Sequence, residues 1–550
     1  MAVPNGVSPS NGVASTDNIH NIDVDVLIIG GGFGGMYGLY KFRKLGLSVK
    51  LFEAGSDFGG TWYWNRYPGA RVDSESPYYS LSVPEVWKTW TWSERFPDHN
   101  ELRRYFKHVD NVLDLSKDAF FNTIVVDATW DGDQWIVKTK DGGTAKCKYL
   151  VAATGSSYKM HYPDFKNLKD FKGLLVHSAI YPEGGLDVKG KRVGVVGNGA
   201  TGVQIVQELA KEDCDLTVFI RTPNIALPMQ QRKLTVEEQE SSKSFYASYF
   251  NAAKHCRAGF PYNPAPKSFW EASEEERNAL FDELWNRGGF SFLLSNYHDF
   301  ARDKKANTII YNYWAKKVRE RVKDPYKADV VAPLKQLHWF GTKRPSLEQN
   351  YYEMLDRPNV KVVDIKATPI VEFQEKGIAT TDKRYEFDII ILATGFDSLT
   401  GSLIDMNLKD VNGVQLQEKW KNGVYTWLGL TIDGLPNFFM VYSPQAPTAL
   451  SNGPPIIEIQ MDWIVDAITK MRAEKIKAIN PRFEAARKWR EDIQELNSKT
   501  LYPETDSWYM GANIPGKPRE QLLYLAGVDV YNRVSNAALE NWDGFDIIKA

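Results

Sequence analysis

Cysteine is scarce in this chain: Cys147, Cys214 and Cys256 are the only three in 550 residues, and no two stand in a CxxC spacing. An odd, unmatched set provides neither a disulfide framework nor a thiolate metal site. It excludes the redox-active cysteine pair of the flavin disulfide reductases and suits a reducing compartment. Long apolar runs are missing as well. Nothing approaches the ~20 residues that a membrane-spanning helix needs. Net charge is close to nil, −2 from 67 basic and 69 acidic residues, so the whole molecule has no field that draws nucleic acid or an anionic membrane. The opening MAVPNGVSPSNGVASTDNIHN lacks both a basic start and an apolar core. It does not read as a secretory signal, and its Ser, Asn and Gly content predicts a disordered tail over 1–22. Together these absences predict a cytoplasmic protein with no membrane, nucleic-acid or metal partner.

What remains is the make-up of an ordinary globular protein, with 43% hydrophobic and 25% charged residues. At ~150 residues per domain there is room for about three domains with sizeable cores.

Val24–Ile29 (VDVLII) is a short apolar run of the kind that fills a buried parallel strand. It enters Gly30-Gly31-Gly32-Phe33-Gly34-Gly35, a GxGxxG. A helical pattern follows to about Leu45, then a second strand, Ser48–Phe52, that ends on Glu53. In such a unit Gly30 makes the tight turn, Gly32 lets the backbone approach a pyrophosphate, and Gly35 lets helix and strand pack closely. The helix N-terminus offers partial positive charge to the phosphates, and Glu53 stands where a carboxylate accepts ribose hydroxyls. The unit then recurs. Arg192–Val196 (RVGVV) leads into Gly197-Asn198-Gly199-Ala200-Thr201-Gly202, a helix follows, and the strand Leu216–Ile220 ends on Arg221. A carboxylate there would repel the 2′-phosphate of NADPH, whereas a guanidinium binds it. The first unit therefore suits FAD and the second NADPH; taken alone, Arg221 is equally a solvated charge at a strand end. Two more buried strands, YLVAATG (Tyr149–Gly155) and DIIILATG (Asp388–Gly395), end in small-residue turns that let a chain cross between two such units.

Gly60, Trp62, Tyr67, Pro68, Gly69 and Asp73 follow the pattern GxWxxxxYPGxxxD. Phe171, Gly173, His177, Tyr181 and Pro182 follow FxGxxxHxxxW plus proline, with a tyrosine in place of the tryptophan that keeps the aromatic packing. In both stretches the chain resembles the type I Baeyer–Villiger monooxygenases, FAD- and NADPH-dependent enzymes that insert one oxygen atom beside a ketone. The resemblance runs from about Asp23 to about Gly516. It implies flavin contacts at Thr61, Trp62, Tyr63, Trp64, Asp73, Tyr79 and Val125. It implies NADPH contacts at Arg71, Thr222, Lys343, Arg344 and Trp508 beside the second Gly-rich loop. Lys343 then serves the 2′-phosphate, and Trp508 belongs to a mobile loop that closes over the nucleotide. Arg344, in Gly341-Thr342-Lys343-Arg344, matches the family's catalytic arginine, with Asp73 holding it; without the motifs the two are as readily an ordinary ion pair. The implied reaction runs through a peroxide adduct at flavin carbon C4a and a tetrahedral intermediate to an ester or lactone. Its partners are a small ketone and O2, and the oligomeric state, monomer included, stays open. Pro444–Glu458 resembles a loop near the flavin and the substrate. His177 reads as a hydrogen-bonded hinge residue rather than an acid or base.

The expected fold is α/β, with two Rossmann-like dinucleotide-binding domains, for FAD and NADPH, and a helical insertion. The FAD domain is discontinuous, over 23–160 and 386–550, and the NADPH domain takes 161–229 and 336–385. The insertion covers 230–335. There Ser273 and Glu276 have capping-box spacing, followed by Ala279, Leu280, Leu284 and Trp285 at helical intervals, and Phe245, Tyr249 and Phe250 suggest another amphipathic helix. After Pro454-Pro455, the stripe Ile457, Met461, Ile464, Ile468 and Met471 reads as core. Two other functions share the Gly-rich loops: a flavin-containing monooxygenase acting on amines or sulfides, and a non-catalytic FAD-binding protein. The GxWxxxxYPGxxxD stretch and Arg344 favour ketone oxidation.

Overall fold

A computed structural model describes residues 20–549 apart from Pro261. Most of the expected tail, residues 1–19, lies outside the described residues. His20, Asn21 and Ile22 fall instead within the first strand, His20–Ile29, because the ladder of Thr144–Ala152 extends far enough to pair with them.

Two sheets organise the chain. The first has eight strands. Along its path Leu408–Lys409, Val125–Trp130, Trp135–Thr139, Thr144–Ala152, His20–Ile29, Val49–Phe52 and Ala119–Phe120 lie side by side, and Phe438–Met440 also pairs with Thr144–Ala152. Alternation along His20–Ile29 sends Val26 and Ile28 into one buried cluster and Leu27 and Ile29 into another on the opposite face. This is why the run looks uniformly apolar in sequence. The second sheet has five strands, all paired in parallel: Val360–Asp364, Cys214–Ile220, Lys191–Val196, Ile389–Leu392 and Leu174–His177. Ile389–Leu392 sits inside this second sheet, so the chain returns to the first unit after that strand. The boundary expected at 386 precedes it, because an apolar run ending in ATG looks the same in whichever sheet it is buried.

Between 230 and 335 every regular element among the described residues is helical, including Val236–Ser242, Tyr246–Lys254, Glu274–Arg287, Lys304–Arg319 and Pro325–Val331. Ser273 caps Glu274–Arg287 through a reciprocal box with Glu276. The helix expected from Phe245 begins one residue later; Tyr246 and Phe250 are buried, while Phe245 is exposed and stacks on Tyr249. Lys254 ties this region to the long helix Gly453–Ala473 through the fully buried Glu458, at 2.8 Å. The stripe Ile457, Met461, Ile464, Ile468 and Met471 of that helix is buried as expected. Among the described residues no helix is long and apolar enough to cross a membrane.

In the first Gly-rich loop Gly30 and Gly35 leave no room for a side chain. A Cβ on Gly35 would stand 1.9 Å from the Gly30 carbonyl oxygen and 2.7 Å from Leu51. Gly35→Ala is therefore expected to cost about 1–3 kcal/mol, as overpacking does. A thermal melt with an unchanged Tm contradicts that packing role.

Candidate active site

Both Gly-rich loops open onto one cavity of about 1270 Å³ between the two sheets. The helices Phe33–Lys44 and Ala200–Leu209 start there on Gly32 and Gly199, with no side-chain cap and no acid in the first turn. Their first N–H groups therefore lack partners and can take anionic oxygens. Glu53 is buried at the end of Val49–Phe52 and lines the cavity. Burial pushes its carboxyl above the usual range, while the amides of Gly55 and Gly31, at 2.6 and 2.5 Å, pull it back. Each oxygen keeps a lone pair for a further donor.

The second unit has the opposite charge. Arg221 and Lys343 both line the cavity, and neither has a hydrogen bond or ion pair among the described residues. Burial first, and the Arg221 charge second, hold the Lys343 ammonium below the ordinary lysine range, against the pull of Asp506. Two adjacent cations with no acid between them form a place for a phosphate. Asn198 and Ser507 line the cavity as well, and the buried amide nitrogen of the one and the buried hydroxyl of the other have no partner among the described residues. Orphaned donors of this kind fit a nucleotide. Glycine-opened helix ends, an acid in the first unit and paired cations in the second suit FAD and NADPH respectively.

Where the units meet, Arg344 lies against Asp73. Its Nε and Nη2 each stand 2.9 Å from the same Asp73 oxygen, and its Nη1 donates to the Ala449 carbonyl. The guanidinium also covers the Phe290 ring at 5.0 Å from its centre. Burial, the largest influence, works against the charge, but the Asp73 carboxylate together with Tyr509 and Tyr442 offsets it and holds the guanidinium above even its ordinary range. Asp73, the Ala449 carbonyl and the Tyr509 hydroxyl are its polar partners. A quarter of the side chain, 25%, stays exposed.

The YPG stretch explains itself by what it touches. Tyr67 donates to the Gln204 side chain at 2.9 Å, and Gln204 donates to the Arg71 carbonyl at 3.0 Å. Gly69 has φ 78°, and a Cβ on it would meet the Gln204 carbonyl at 2.6 Å. The first unit's loop is thus pressed onto the helix of the second. Trp62 donates to Tyr79 at 3.0 Å below the same cavity.

Of the residues singled out in the sequence, Gly30, Gly32, Glu53, Thr61, Trp62, Trp64, Arg71, Asp73, Tyr79 and Val125 line the cavity. So do Gly197 to Thr201, Arg221, Thr222, Lys343, Arg344 and Trp508. Gly35, Gly202 and Tyr63 do not. The two glycines pack helix against loop, and the Tyr63 ring lies against Gly55 with its hydroxyl taking the Ser56 amide at 3.1 Å. Arg71 is already engaged with Glu94 at 2.9 Å, so its charge is less free than that of Arg221. His177 is buried between Tyr162 and Phe396, where both crossovers run, and accepts the Ala179 amide at 3.2 Å. Burial lowers its pKa to about 4, so it is neutral near pH 7. Gln204, Tyr442 and Asp506 line the cavity too and carry no local sequence signal.

Residues 24–244 match the family described as pyridine nucleotide-disulphide oxidoreductase. All three cysteines are free, so the likeness is to the two-nucleotide scaffold and not to disulfide chemistry. The chain is 44% identical to the FAD-binding monooxygenase acrE of Aspergillus aculeatus, over 96% of this chain and 90% of that one. It is 40% identical to the cyclopentanone 1,2-monooxygenase of a Comamonas species, over 96% and 97%. The structure of cyclohexanone monooxygenase from Rhodococcus sp. Phi1 bound to NADP+ superposes with a TM-score of 0.92 at 36% identity, covering 96% of this chain and all of that one.

The charge state of Lys343 is open to test. Binding of 2′-AMP is expected to weaken on going from neutral to alkaline pH sooner than an ordinary lysine would dictate. Lys343→Arg, whose charge is permanent, should flatten that fall. Identical calorimetric profiles for the two proteins contradict the assignment.

Proposed function

The chain belongs to the FAD- and NADPH-dependent Baeyer–Villiger monooxygenases, and on that footing we infer that Arg344, held by Asp73, is the charge on which its chemistry depends. The enzyme converts a ketone, O2, NADPH and a proton to an ester or lactone, NADP+ and water. Bound FAD supplies the transfer of electrons from the nicotinamide to oxygen. The protein has to bind, orient and shield.

Binding falls to the two Gly-rich helix ends, with Glu53 for the first ribose and Arg221 with Lys343 for the 2′-phosphate. Orientation falls to the contact of the YPG stretch with Gln204, which sets the two units face to face. Arg344 sits at their junction with a quarter of its side chain, 25%, exposed, on a residue that lines the cavity. It stabilises the negative charge that develops on oxygen as the ketone carbonyl is attacked. A donor positioned in advance in a partly buried site is worth about 10²–10³ in rate when removed. Asp73 both orients the guanidinium and keeps it charged. The carbonyl of Ala449 fixes its third side, which brings Pro444–Glu458 beside the reacting centre. Phe290, from the 230–335 region, closes the other face and makes that region part of the substrate wall. The observation that carries this reading is the Asp73–Arg344–Ala449 constellation on the cavity shared by both nucleotide units.

Arg344→Ala is expected to bind FAD and to be reduced by NADPH, yet to lose ester formation by about 10²–10³-fold or more. Ester at the wild-type rate, measured by gas chromatography over linear, cyclic and aryl ketones, removes the role. Arg221→Ala is expected to raise KM for NADPH far more than for NADH. An equal rise for both breaks the 2′-phosphate assignment.

A further inference from the structure

Arg344 stands two residues beyond Thr342, which is itself 2% exposed. The Thr342 hydroxyl lies 2.7 Å from the Trp339 carbonyl and 2.8 Å from the hydroxyl of Thr505, also 2% exposed. Thr505 belongs to the segment that carries Trp508 into the cavity. The contact therefore joins the catalytic arginine's own strand of chain to the segment that covers the nucleotide site. It is buried, so water cannot replace it.

Neighbouring contacts hold the Trp508 segment on either side of this one. Glu504 pairs with Lys304 at 2.8 Å and accepts from the Trp339 indole at 3.1 Å, and the Leu501 amide donates to the Ala301 carbonyl at 2.9 Å. Further along, Tyr509 is buried within electrostatic reach of Arg344. At its far end the segment is fastened to the crossover after Ile389–Leu392. Asn513 donates to the Phe396 carbonyl at 2.9 Å, and Lys517 pairs with Asp397 at 2.9 Å. The Tyr509 hydroxyl reaches the guanidinium itself, and the other links lie away from it. The Thr505 hydroxyl makes the buried hydrogen bond to the 341–343 peptide that leads into Arg344. That peptide transmits displacement well: Pro345 follows Arg344 and restricts its backbone, while Gly341 at φ 81° is the pivot before it.

We propose that Thr505 is a positioning residue for Arg344: through its hydroxyl contact with Thr342 it makes the placement of the guanidinium depend on the docking of the segment that bears Trp508. This rests on the role given to Arg344 above. The consequence is a selective one. Lys343 stands between Thr342 and Arg344, so the contact bears on nucleotide affinity, but once the nucleotide is saturating its hydride transfer does not use Arg344. Oxygen insertion needs Arg344 in place. When it is not, O2 takes two electrons and two protons and leaves as hydrogen peroxide, so NADPH is consumed without ester.

Three holoenzymes test this: wild type, Thr505→Val, which keeps the shape and loses the hydroxyl, and Thr505→Ser, which keeps the hydroxyl. The rate of flavin reduction at saturating NADPH is expected to be unchanged in all three. In Thr505→Val, ester formed per NADPH is expected to fall about fivefold, the order that one neutral hydrogen bond is worth, with hydrogen peroxide making up the difference. Thr505→Ser is expected to restore most of it. Trypsin digestion with NADP+ present should cut Thr505→Val faster at Lys517 and Arg519 than the other two. A wild-type ester-to-peroxide ratio in Thr505→Val overturns the proposal. So does a serine variant as poor as the valine one, or a reduction rate that falls in step with ester yield. Absence of ester from wild type itself would instead strike at the functional reading, and the trypsin comparison would still decide whether the hydroxyl contact secures the segment.

Discussion

Asp73 and Arg344 meet across 271 residues of chain, and holding that pair in register constrains most of what surrounds it. A guanidinium out of bulk water is unfavourable unless a carboxylate stands against it and its remaining donors find partners. Asp73 and the Ala449 carbonyl meet that need from two segments, and the Phe290 ring covers a face from a third. Each of these arrives from a different part of the fold. The sheet of the first unit delivers Asp73 and Ala449, the second unit delivers Arg344, and the helical region between 230 and 335 delivers Phe290. The charge can stand where it does because all three are packed together.

The two nucleotide units use the same backbone device with opposite electrostatics. Each ends a strand in glycines, starts a helix without a cap and leaves its first amides open to phosphate. Glu53 closes the first unit with a carboxylate steadied by two amides, and Arg221 with Lys343 closes the second with two cations that repel one another until an anion lies between them. A protein with near-zero net charge thus keeps a locally strong field where it binds a phosphate. The contact of Tyr67 and Gly69 with Gln204 then joins the units, so the fingerprint stretch acts as an inter-unit lock as much as a cofactor contact.

Much of this is written along the chain. Glycine spacing, strand-end charges and the helical stripe after Pro454 are local features, and their physics acts over a few residues: a Cβ that would collide, a phosphate that attracts, a face that must be buried. That is why both nucleotide units, the core role of Ile457 to Met471 and the capping box at Ser273 are legible in the order of residues alone. Asp73 and Arg344 are legible as residues and as a pair only through motif resemblance, because nothing in either segment states a distance to the other.

The remainder depends on packing between segments remote in sequence. Tyr63 turns its ring against Gly55 and leaves the cavity wall to Trp64, although both stand in one motif. Ile389–Leu392 joins the second sheet, since an apolar run records that it is buried and not beside which strand. Gln204, Ala449, Phe290 and the Thr342–Thr505 contact carry no signal at all: an amide, a backbone carbonyl, a phenyl ring and two hydroxyls acquire meaning from what the fold sets against them. Residue chemistry and short-range spacing decided which reactions were open to this chain, and the assembly of distant segments decided where the charge for that chemistry stands, because electrostatic stabilisation acts over ångströms of space and not over positions in sequence.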